Sequence, residues 1–471
     1  MKVIRNYLYN AGFQVLSMIL PLITGPYVSR TLGPHGVGIN AYTNSIIQWF
    51  VLFGSIGIGL YGNREIAYRR GNKQDMSQAF WEIQALKFLF IGLAYVAFFV
   101  YILLVPKYRP LMWLQSLYIL AAAVDISWLY MGLEDFKKTV VRNALVKVAS
   151  VILIFSFVHD SSDLGLYILI MGSATVLGNL TLWPYLRRFI VKVKLSSLHP
   201  LRHLRPTVAL FAPQIAIQIY VILNKTMLGA LGHTNASGYY DRADMLVKFV
   251  LSIVTATGTV MLPHVANTFA KGDKERVKEM LYDSFDFVSF LAIAMTFGLA
   301  AISIKLGPFF FGVKFVEVGE AMLLESAVIL LIGWSNVIGQ QFLLPTGKVR
   351  EYTTSVTLGA IANIITNFPL IYYWGLYGAI ISTVISELIV TLYQVWHVRD
   401  TLELKKMFIN VPKYLIAAVP MFIVVYWLNV HTHFYIVTLF GEVLLGIVIY
   451  FGILLLLRPS IFKKAKKLLK K

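Results

Sequence analysis

The dominant pattern along the chain is a series of long apolar stretches separated by short polar breaks. A bilayer core of roughly 30 Å is crossed by about 20 apolar residues in a helix, and about fourteen stretches reach that length. The predicted spans cover residues 8–31, 37–61, 78–105, 110–132, 139–158, 163–186, 207–231, 237–266, 279–304, 317–345, 353–373, 376–398, 411–429 and 434–457. We therefore predict an all-α polytopic membrane protein with about 14 transmembrane helices.

The composition narrows the class of protein further. Hydrophobic residues make up 58% of the chain and charged residues 14%, whereas soluble domains have roughly 45–50% and 25%. A soluble globular enzyme is therefore excluded, and no loop exceeds roughly twenty residues, which leaves no room for a soluble catalytic module. The chain contains no cysteine, so disulfides and thiolate metal sites are excluded as well. We expect no catalytic residues, no cofactor and no metal site.

The formal net charge of +19 raises the question of nucleic acid binding. Lysine and arginine are distributed unevenly between alternate loops, however, with thirty-two in one set and five in the other. Cytoplasmic loops carry the excess of positive charge, so both termini are predicted to lie in the cytoplasm. Because the charge is spread over all of these loops with no single basic patch, we expect no nucleic acid partner.

The chain also contains an internal repeat at an offset of about 200 residues. The matching pairs are Gln14 with Gln214, Leu32-Gly33 with Leu231-Gly232, Gly38 with Gly238, and the loop Arg70–Gln74 with Lys271–Glu275. Each half holds six spans, an even number, so the two lobes share one orientation and are predicted to enclose a central cavity. We expect an N-terminal lobe at 1–200, a C-terminal lobe at 201–405, and two peripheral helices with a basic cytoplasmic tail at 406–471.

Polar residues recur on one face of the equivalent helices. The second span carries Asn40, Asn44 and Gln48, and the eighth carries Asp241, Asp244 and Lys248, all at helical spacing. The first and seventh spans add Gln14, and Gln214 with Gln218. A continuous polar stripe in both halves favours a water-filled cavity. Hydrogen bonding between helices, at about 0.6 kcal/mol per contact, is the alternative for any single residue.

Ionisable groups inside spans mark a transport pathway by default, because they are costly in hydrocarbon. The cations are Arg142, Lys147, Lys225 and Lys248, and the carboxylates include Glu82, Asp125, Asp241 and Asp244. Arg142 and Asp241 lie close enough to the predicted interfaces for snorkelling to explain them equally well. Lys147, Lys248 and Asp125 lie deeper, and we expect them to face the cavity.

Three segments of the chain resemble a known family. These are Asn10–Gln14 together with Gly25–Gly38, the run Asp125–Phe136, and Asn224–Gly229. They are similar to the Wzx-type flippases of bacterial polysaccharide repeat units, in the multidrug/oligosaccharidyl-lipid/polysaccharide exporter superfamily. The resemblance covers roughly residues 1 to 400 and does not specify the sugar.

The resemblance implies a transporter of the bacterial inner membrane. Its expected substrate is an undecaprenyl-pyrophosphate-linked oligosaccharide, flipped to the outer leaflet by alternating access with cation antiport. Arg142, Lys147, Lys225, Lys248 and the glutamines Gln14, Gln48, Gln214 and Gln218 become candidates for the substrate-binding cavity. Glu82, Asp125, Asp241 and Asp244 become candidates for ion coupling, since Asn224 stands where the family would have a carboxylate. Expected partners are membrane lipids, the polysaccharide polymerase and the chain-length machinery.

Two other functions within the superfamily stay open. A peptidoglycan-precursor flippase would transport a similar lipid-linked substrate, and the sequence does not separate the two. A multidrug exporter would handle amphipathic cations, which the abundance of lysine and arginine over carboxylates in the spans disfavours.

Overall fold

The computed structural model describes residues 2–105, 107–433 and 435–462, without the side chains of residues 2–15, 136–139, 212–214, 217 and 259–260. The described residues form helices and short connections, with no β-strand among them. The predicted all-α fold class is therefore confirmed. The chain divides into two compact units, Met1–Gly238 and Tyr239–Lys471, which are described separately. The predicted lobes, with a boundary near residue 200 and a central cavity, stay predictions.

The first unit contains ten α-helices and the first turn of an eleventh, within the part of the chain that the structure describes. They are α1 (Lys2–Ser55), α2 (Ile58–Arg69), α3 (Lys73–Leu104), α4 (Arg109–Gln115), α5 (Leu117–Val124), α6 (Ser127–Gly132), α7 (Phe136–Phe157), α8 (Leu164–Leu180), α9 (Trp183–Leu186), α10 (Leu204–Ala230) and the start of α11 (Thr234–Ala270).

The second unit contains the rest of α11 and seven further α-helices among its described residues. They are α12 (Lys274–Phe311), α13 (Val316–Glu325), α14 (Ala327–Ser335), α15 (Val349–Val398), α16 (Leu404–Phe408), α17 (Val411–His431) and α18 (Ile436–Leu457). A π-helical segment, Asn336–Leu343, follows α14. The polar side chains of Asn410 and Tyr414 at the start of α17 both donate to the buried carboxylate of Asp286 on α12, at 2.9 and 2.7 Å.

Ten helical segments of the described chain are long and apolar enough to cross a membrane. Two of them, Leu16–Arg69 and Val349–Val398, each include two predicted spans. Within these long segments the chain bends at a glycine with positive φ, Gly33 (φ 69°) and Gly375 (φ 52°). Glycine allows such a backbone without the clash that a Cβ atom would cause. The exact number of fourteen transmembrane helices stays a prediction.

The span predicted at 110–132 is broken into α4, α5 and α6. The second break lies at Asp125, where ψ is 114°, and Ile126. Neither residue is a proline or glycine, the usual causes of a helix break in a membrane. Packing supplies part of the reason, since Phe80 on α3 and Trp128 on α6 stack with ring centroids 5.3 Å apart in the core beside the break.

Gly38 and Gly238, the equivalent glycines of the two repeats, allow α1 and the start of α11 to pack closely. A Cβ atom on Gly38 would lie 2.0 Å from the carbonyl oxygen of Thr234, and one on Gly238 would lie 2.7 Å from the nitrogen of Gly38. Neighbouring His35 and Asn235 are hydrogen-bonded at 3.0 Å. The equivalent turns of the two repeats are therefore in contact within the first unit. Their backbones come so close that a methyl group would not fit between them.

Candidate functional site

Arg142 and Lys147 lie on α7, and both side chains are half-buried. The Nη1 atom of Arg142 donates to the carbonyl of Gly178 at 3.2 Å and to Oδ1 of Asn179 at 2.8 Å, both on α8. Its Nη2 atom also donates to Asn143. Arg142 thus joins α7 to α8, and its Nε atom is buried with no hydrogen-bond partner among the described residues.

Asp125 lies at the break between α5 and α6. Its Oδ1 atom accepts from the backbone nitrogen of Ser127 at 2.9 Å, as expected for a side chain at a helix start. Breaking a helix leaves backbone carbonyls without partners. Three side chains donate to three successive carbonyls at this break: Gln84 to Ala123 at 2.9 Å, Trp183 to Val124 at 2.8 Å and Lys87 to Asp125 at 2.7 Å.

Lys87 was not among the predicted site residues. Its side chain lies on α3 and is 4% exposed, which makes it a buried lysine in an apolar helix. Its presence in a predicted span was the available signal, because a lysine inside a span is costly unless it has a partner. That partner is a carbonyl 38 residues away, which periodicity does not reveal.

Glu82 lies on α3 and is completely buried. Its carboxylate binds the linker between the two repeats, where Arg202 approaches to 2.5 Å and His203 to 2.8 Å. The backbone nitrogen of His199 donates to the other carboxylate oxygen at 3.0 Å. Glu82 therefore holds the linker against α3, and its predicted role in ion coupling stays a prediction.

His203 connects this carboxylate to α2. Its Nε2 atom must donate to Glu82, since a carboxylate only accepts, and a neutral ring then accepts through Nδ1 from the Tyr61 hydroxyl at 2.6 Å. His203 lies outside the membrane-spanning segments, and burial lowers the pKa of its imidazole. The structure thus favours the neutral ring.

The eighth predicted span corresponds to α11 and carries two carboxylates and two cations. Lys248 Nζ lies 2.9 Å from Asp244 Oδ2, with the lysine side chain 46% exposed and the aspartate 12%. Asp241 lies 3.7 Å from Arg242, which also packs over the ring of Phe311. The structure therefore pairs a candidate substrate-binding cation with a candidate ion-coupling carboxylate, Lys248 with Asp244.

The seventh predicted span corresponds to α10. Lys225 is half-buried there, next to Asn224, which is completely buried, and Gln218 is exposed. The hydroxyl of Ser237 donates to the backbone carbonyl of Lys225 at 3.2 Å. The side chains of Gln14 and Gln214 lie outside the described residues.

The polar stripe of the second span is partly explained by helix packing. Gln115 on α4 accepts from Asn44 at 3.1 Å and donates to Asn40 at 2.9 Å. The alternative interpretation, hydrogen bonding between helices, therefore applies to these two asparagines. Gln48, one turn further along, is half-buried, and its role in the cavity stays a prediction.

Comparisons with known proteins place this arrangement in a family. A family model described as polysaccharide biosynthesis protein matches residues 3–269, and one described as lipid II flippase MurJ matches residues 141–446. The first of these covers more than half of the chain and includes the helix break and the Glu82 linker contacts. The chain belongs to the polysaccharide biosynthesis protein family. The resemblance to Wzx-type flippases is thereby confirmed.

Individual relatives agree with this family over most of their length. A protein of Escherichia coli (strain K12), provisionally named an O-antigen transporter, is 24% identical over 84% of this chain and 96% of its own. Among solved structures, lipid II flippase MurJ in an inward closed conformation matches with a TM-score of 0.74 at 15% identity, over 98% of this chain and 99% of its own. An inward-facing multidrug MATE transporter matches with a TM-score of 0.62, over 82% and 94%. The two structures establish the fold.

Proposed function

We propose that this family member flips an undecaprenyl-pyrophosphate-linked oligosaccharide from the inner to the outer leaflet of the bacterial inner membrane. The proposal rests above all on one observation, the match to the O-antigen transporter relative over 84% of this chain and 96% of the relative. The multi-pass helical fold supports it, because the polar headgroup of such a lipid cannot cross hydrocarbon without a protein.

The half-buried cations on the membrane helices suit the chemistry of this headgroup. Pyrophosphate is a compact dianion, and lysine and arginine replace its hydration shell with charge-assisted hydrogen bonds. Lys147, Lys225 and Lys248 are the candidates with side chains inside long apolar helices. We assign them to binding of the headgroup during alternating access, with the antiported cation as a second ligand.

The Asp244–Lys248 pair offers a simple scheme for coupling. Lys248 keeps its 2.9 Å salt bridge to Asp244 while it binds the pyrophosphate, which leaves no place for a cation on that carboxylate. After the headgroup is released on the outer side, the antiported cation displaces Lys248 from Asp244 and is carried inward with the empty cavity. The headgroup requires the pair and the cation separates it, so the two ligands bind in turn, as antiport requires.

The lipid intermediates in a deletion strain test the proposed substrate. Without the gene, we expect undecaprenyl-pyrophosphate oligosaccharide repeat units to accumulate on the cytoplasmic side. The wild-type gene should restore export. Lys147→Gln and Lys248→Gln should insert normally into the membrane but reduce export. Wild-type export by both variants would contradict the assignment of these lysines.

Asp244→Asn tests the coupling scheme. In the double variant with Lys248→Gln, the loss of export should be smaller than the sum of the losses in the two single variants, because the two groups act as a pair. Additive losses would indicate that the two side chains act independently. Export should also lose its dependence on the gradient of the antiported cation when Asp244 is replaced.

A peptidoglycan-precursor flippase is the second candidate, favoured by the match of residues 141–446 to the lipid II flippase family model. The same deletion experiment separates the two functions. Accumulation of lipid II, with normal levels of oligosaccharide repeat units, would favour this candidate over the one that we propose.

A further inference from the structure

Two adjoining cavities form a groove between α7 and α8 in the first unit. The first, of about 480 Å³, is lined by Asp135 and Arg142 on one side and by Thr181, Leu182 and Tyr185, which follow the end of α8, on the other. The second, of about 350 Å³, is lined almost entirely by apolar side chains. Both cavities share Val146 and Thr181, so they form one continuous groove with a polar end and an apolar end.

Small side chains along the two helices leave room for this groove. Ala149, Ser173 and Ala174 line its apolar part, and Gly178 allows close packing, since a Cβ atom there would lie 2.7 Å from Val146. Large apolar side chains at the rim are exposed, among them Leu153 and Leu177. Exposed apolar surface of this extent favours a hydrocarbon ligand over water.

The polar end of the groove carries one positive and one negative charge. Arg142 has hydrogen bonds to α8, but its Nε atom has no partner within the described part of the chain. A guanidinium has five donors and binds phosphate well. Asp135 immediately precedes α7 and lines the same cavity as Arg142, which follows seven residues later, about 10 Å along the axis. A ligand complementary to this end therefore has a phosphate and, some ångströms away, a cation.

The length of the groove matches one leaflet. From Arg142 to Leu153 the helix rises about 16 Å, and half of a bilayer core is about 15 Å. An acyl chain that begins at a phosphate beside Arg142 would therefore end near the middle of the membrane. An undecaprenyl chain is much longer than this groove and would extend far beyond it.

From this geometry we infer that the groove between α7 and α8 binds a zwitterionic phospholipid of the phosphatidylethanolamine type. Its phosphate contacts Arg142, its ammonium group contacts Asp135, and one acyl chain lies along Ala149, Ser173 and Leu177. The bound lipid fills the space between the two helices and is separate from the transported substrate. Arg142 then binds this lipid, and the candidates for pyrophosphate binding are Lys147, Lys225 and Lys248.

Photo-crosslinking of the full-length protein tests the assignment. Purified protein in nanodiscs receives a phosphatidylethanolamine with a diazirine in its acyl chain, and the labelled peptides are identified by mass spectrometry. We expect labels on α7 and α8. Arg142→Gln should reduce labelling about tenfold, the loss expected for a charge-assisted hydrogen bond. Arg188→Gln, which removes a cation that lines neither cavity, should leave labelling unchanged.

Two further variants distinguish the contribution of the lipid headgroup from that of the acyl chain. Asp135→Asn should reduce the preference for phosphatidylethanolamine over a phosphatidylglycerol probe. Ser173→Leu should fill the apolar part and reduce labelling by both probes, while Arg142 and Asp135 stay intact. Each variant is compared with wild type by size-exclusion chromatography, so a misfolded protein is recognised before it is labelled.

Three results would overturn the inference. These are an absence of labels on α7 and α8 in wild type, equal labelling of wild type and Arg142→Gln, and equal labelling by both headgroups in wild type. Labelling by an undecaprenyl-phosphate probe in preference to the phospholipid would assign the groove to the substrate instead. Because no transport is measured, the outcome is independent of the proposed flippase function.

Discussion

Lys87 shows how a single charge is accommodated inside a membrane helix. An ammonium group in hydrocarbon is costly, and Lys87 reduces this cost by donating to the Asp125 carbonyl at 2.7 Å. The benefit is mutual, because the break between α5 and α6 leaves that carbonyl without a helical partner. We therefore regard Lys87 as the side chain that stabilises the broken helix.

Replacing Lys87 with methionine tests this role. The variant keeps the length of the side chain but removes the donor, and an unsatisfied buried carbonyl costs about 1–3 kcal/mol. We expect a lower Tm in detergent, measured by thermal unfolding monitored with size-exclusion chromatography. Lys107→Met, at an exposed lysine outside the helices, is the matched control and should keep the wild-type Tm. Equal Tm values for the two variants would contradict the proposed role.

We expect the contacts that hold the linker between the two repeats to depend on pH through His203. Burial lowers the pKa of its imidazole below the value of about 6.5 in an unfolded chain. The stability that the neutral ring provides is therefore fully present above pH 6.5 and is lost as the pH falls below it. The contacts from the linker to Glu82 and Tyr61 should loosen in that range.

The absence of native cysteine makes this measurement direct. A spin label on Ser196→Cys in the linker should become more mobile as the pH falls below 6.5. His203→Gln should abolish this change, because the side chain no longer titrates, whereas His199→Gln should retain it. A pH response that persists with His203→Gln would assign the titration to another group.

At the scale of helices, close packing depends on Gly38. A Cβ atom there would lie 2.0 Å from the Thr234 carbonyl, so the two backbones would have to separate. We expect Gly38→Ala to reduce the yield of folded protein in the membrane. Gly92→Ala on α3 is the control, because nothing lies within 4 Å of a Cβ atom there. It should be neutral or stabilise the helix by up to about 1 kcal/mol. Equal yields would contradict the close packing.

Apolar length and periodicity were sufficient to predict most helices, because each span must satisfy its own backbone in hydrocarbon. They did not predict the break at Asp125, since neither a proline nor a glycine marks it. That break depends on Gln84, Trp183 and Lys87, which come from distant parts of the chain. Local patterns carry no information about such tertiary partners.

The predicted site shows the same limit. Polar side chains within a span were recognisable, but their partners were not. Asn40 and Asn44 bind Gln115, which has no distinguishing pattern in the sequence. The pairing of Lys248 with Asp244 follows from their spacing of four residues, so helical periodicity could have predicted it. Contacts within one helix are therefore predictable, whereas contacts between helices require the structure.

At the scale of the whole molecule, the proposed transport moves charge across the membrane. A pyrophosphate headgroup carries about two negative charges, and an inside-negative potential favours their outward movement by about 2.3 kcal/mol per charge per 100 mV. An antiported cation that moves inward transfers charge in the same electrical sense. The potential should therefore drive export even without a gradient of the cation.

Proteoliposomes with a potassium gradient and valinomycin test this consequence of the proposed function. For two charges, 100 mV corresponds to about 4.6 kcal/mol, or roughly a two-thousandfold change in the limiting ratio of the lipid between leaflets. We expect faster transport when the compartment that represents the cytoplasm is negative, and slower transport when the potential is reversed. Protein-free liposomes correct for leakage. Transport that does not respond to the potential would contradict this prediction, because positive charge would then have to cross together with the headgroup. In the proposed scheme, the cation and the headgroup instead bind to the Asp244–Lys248 pair in turn.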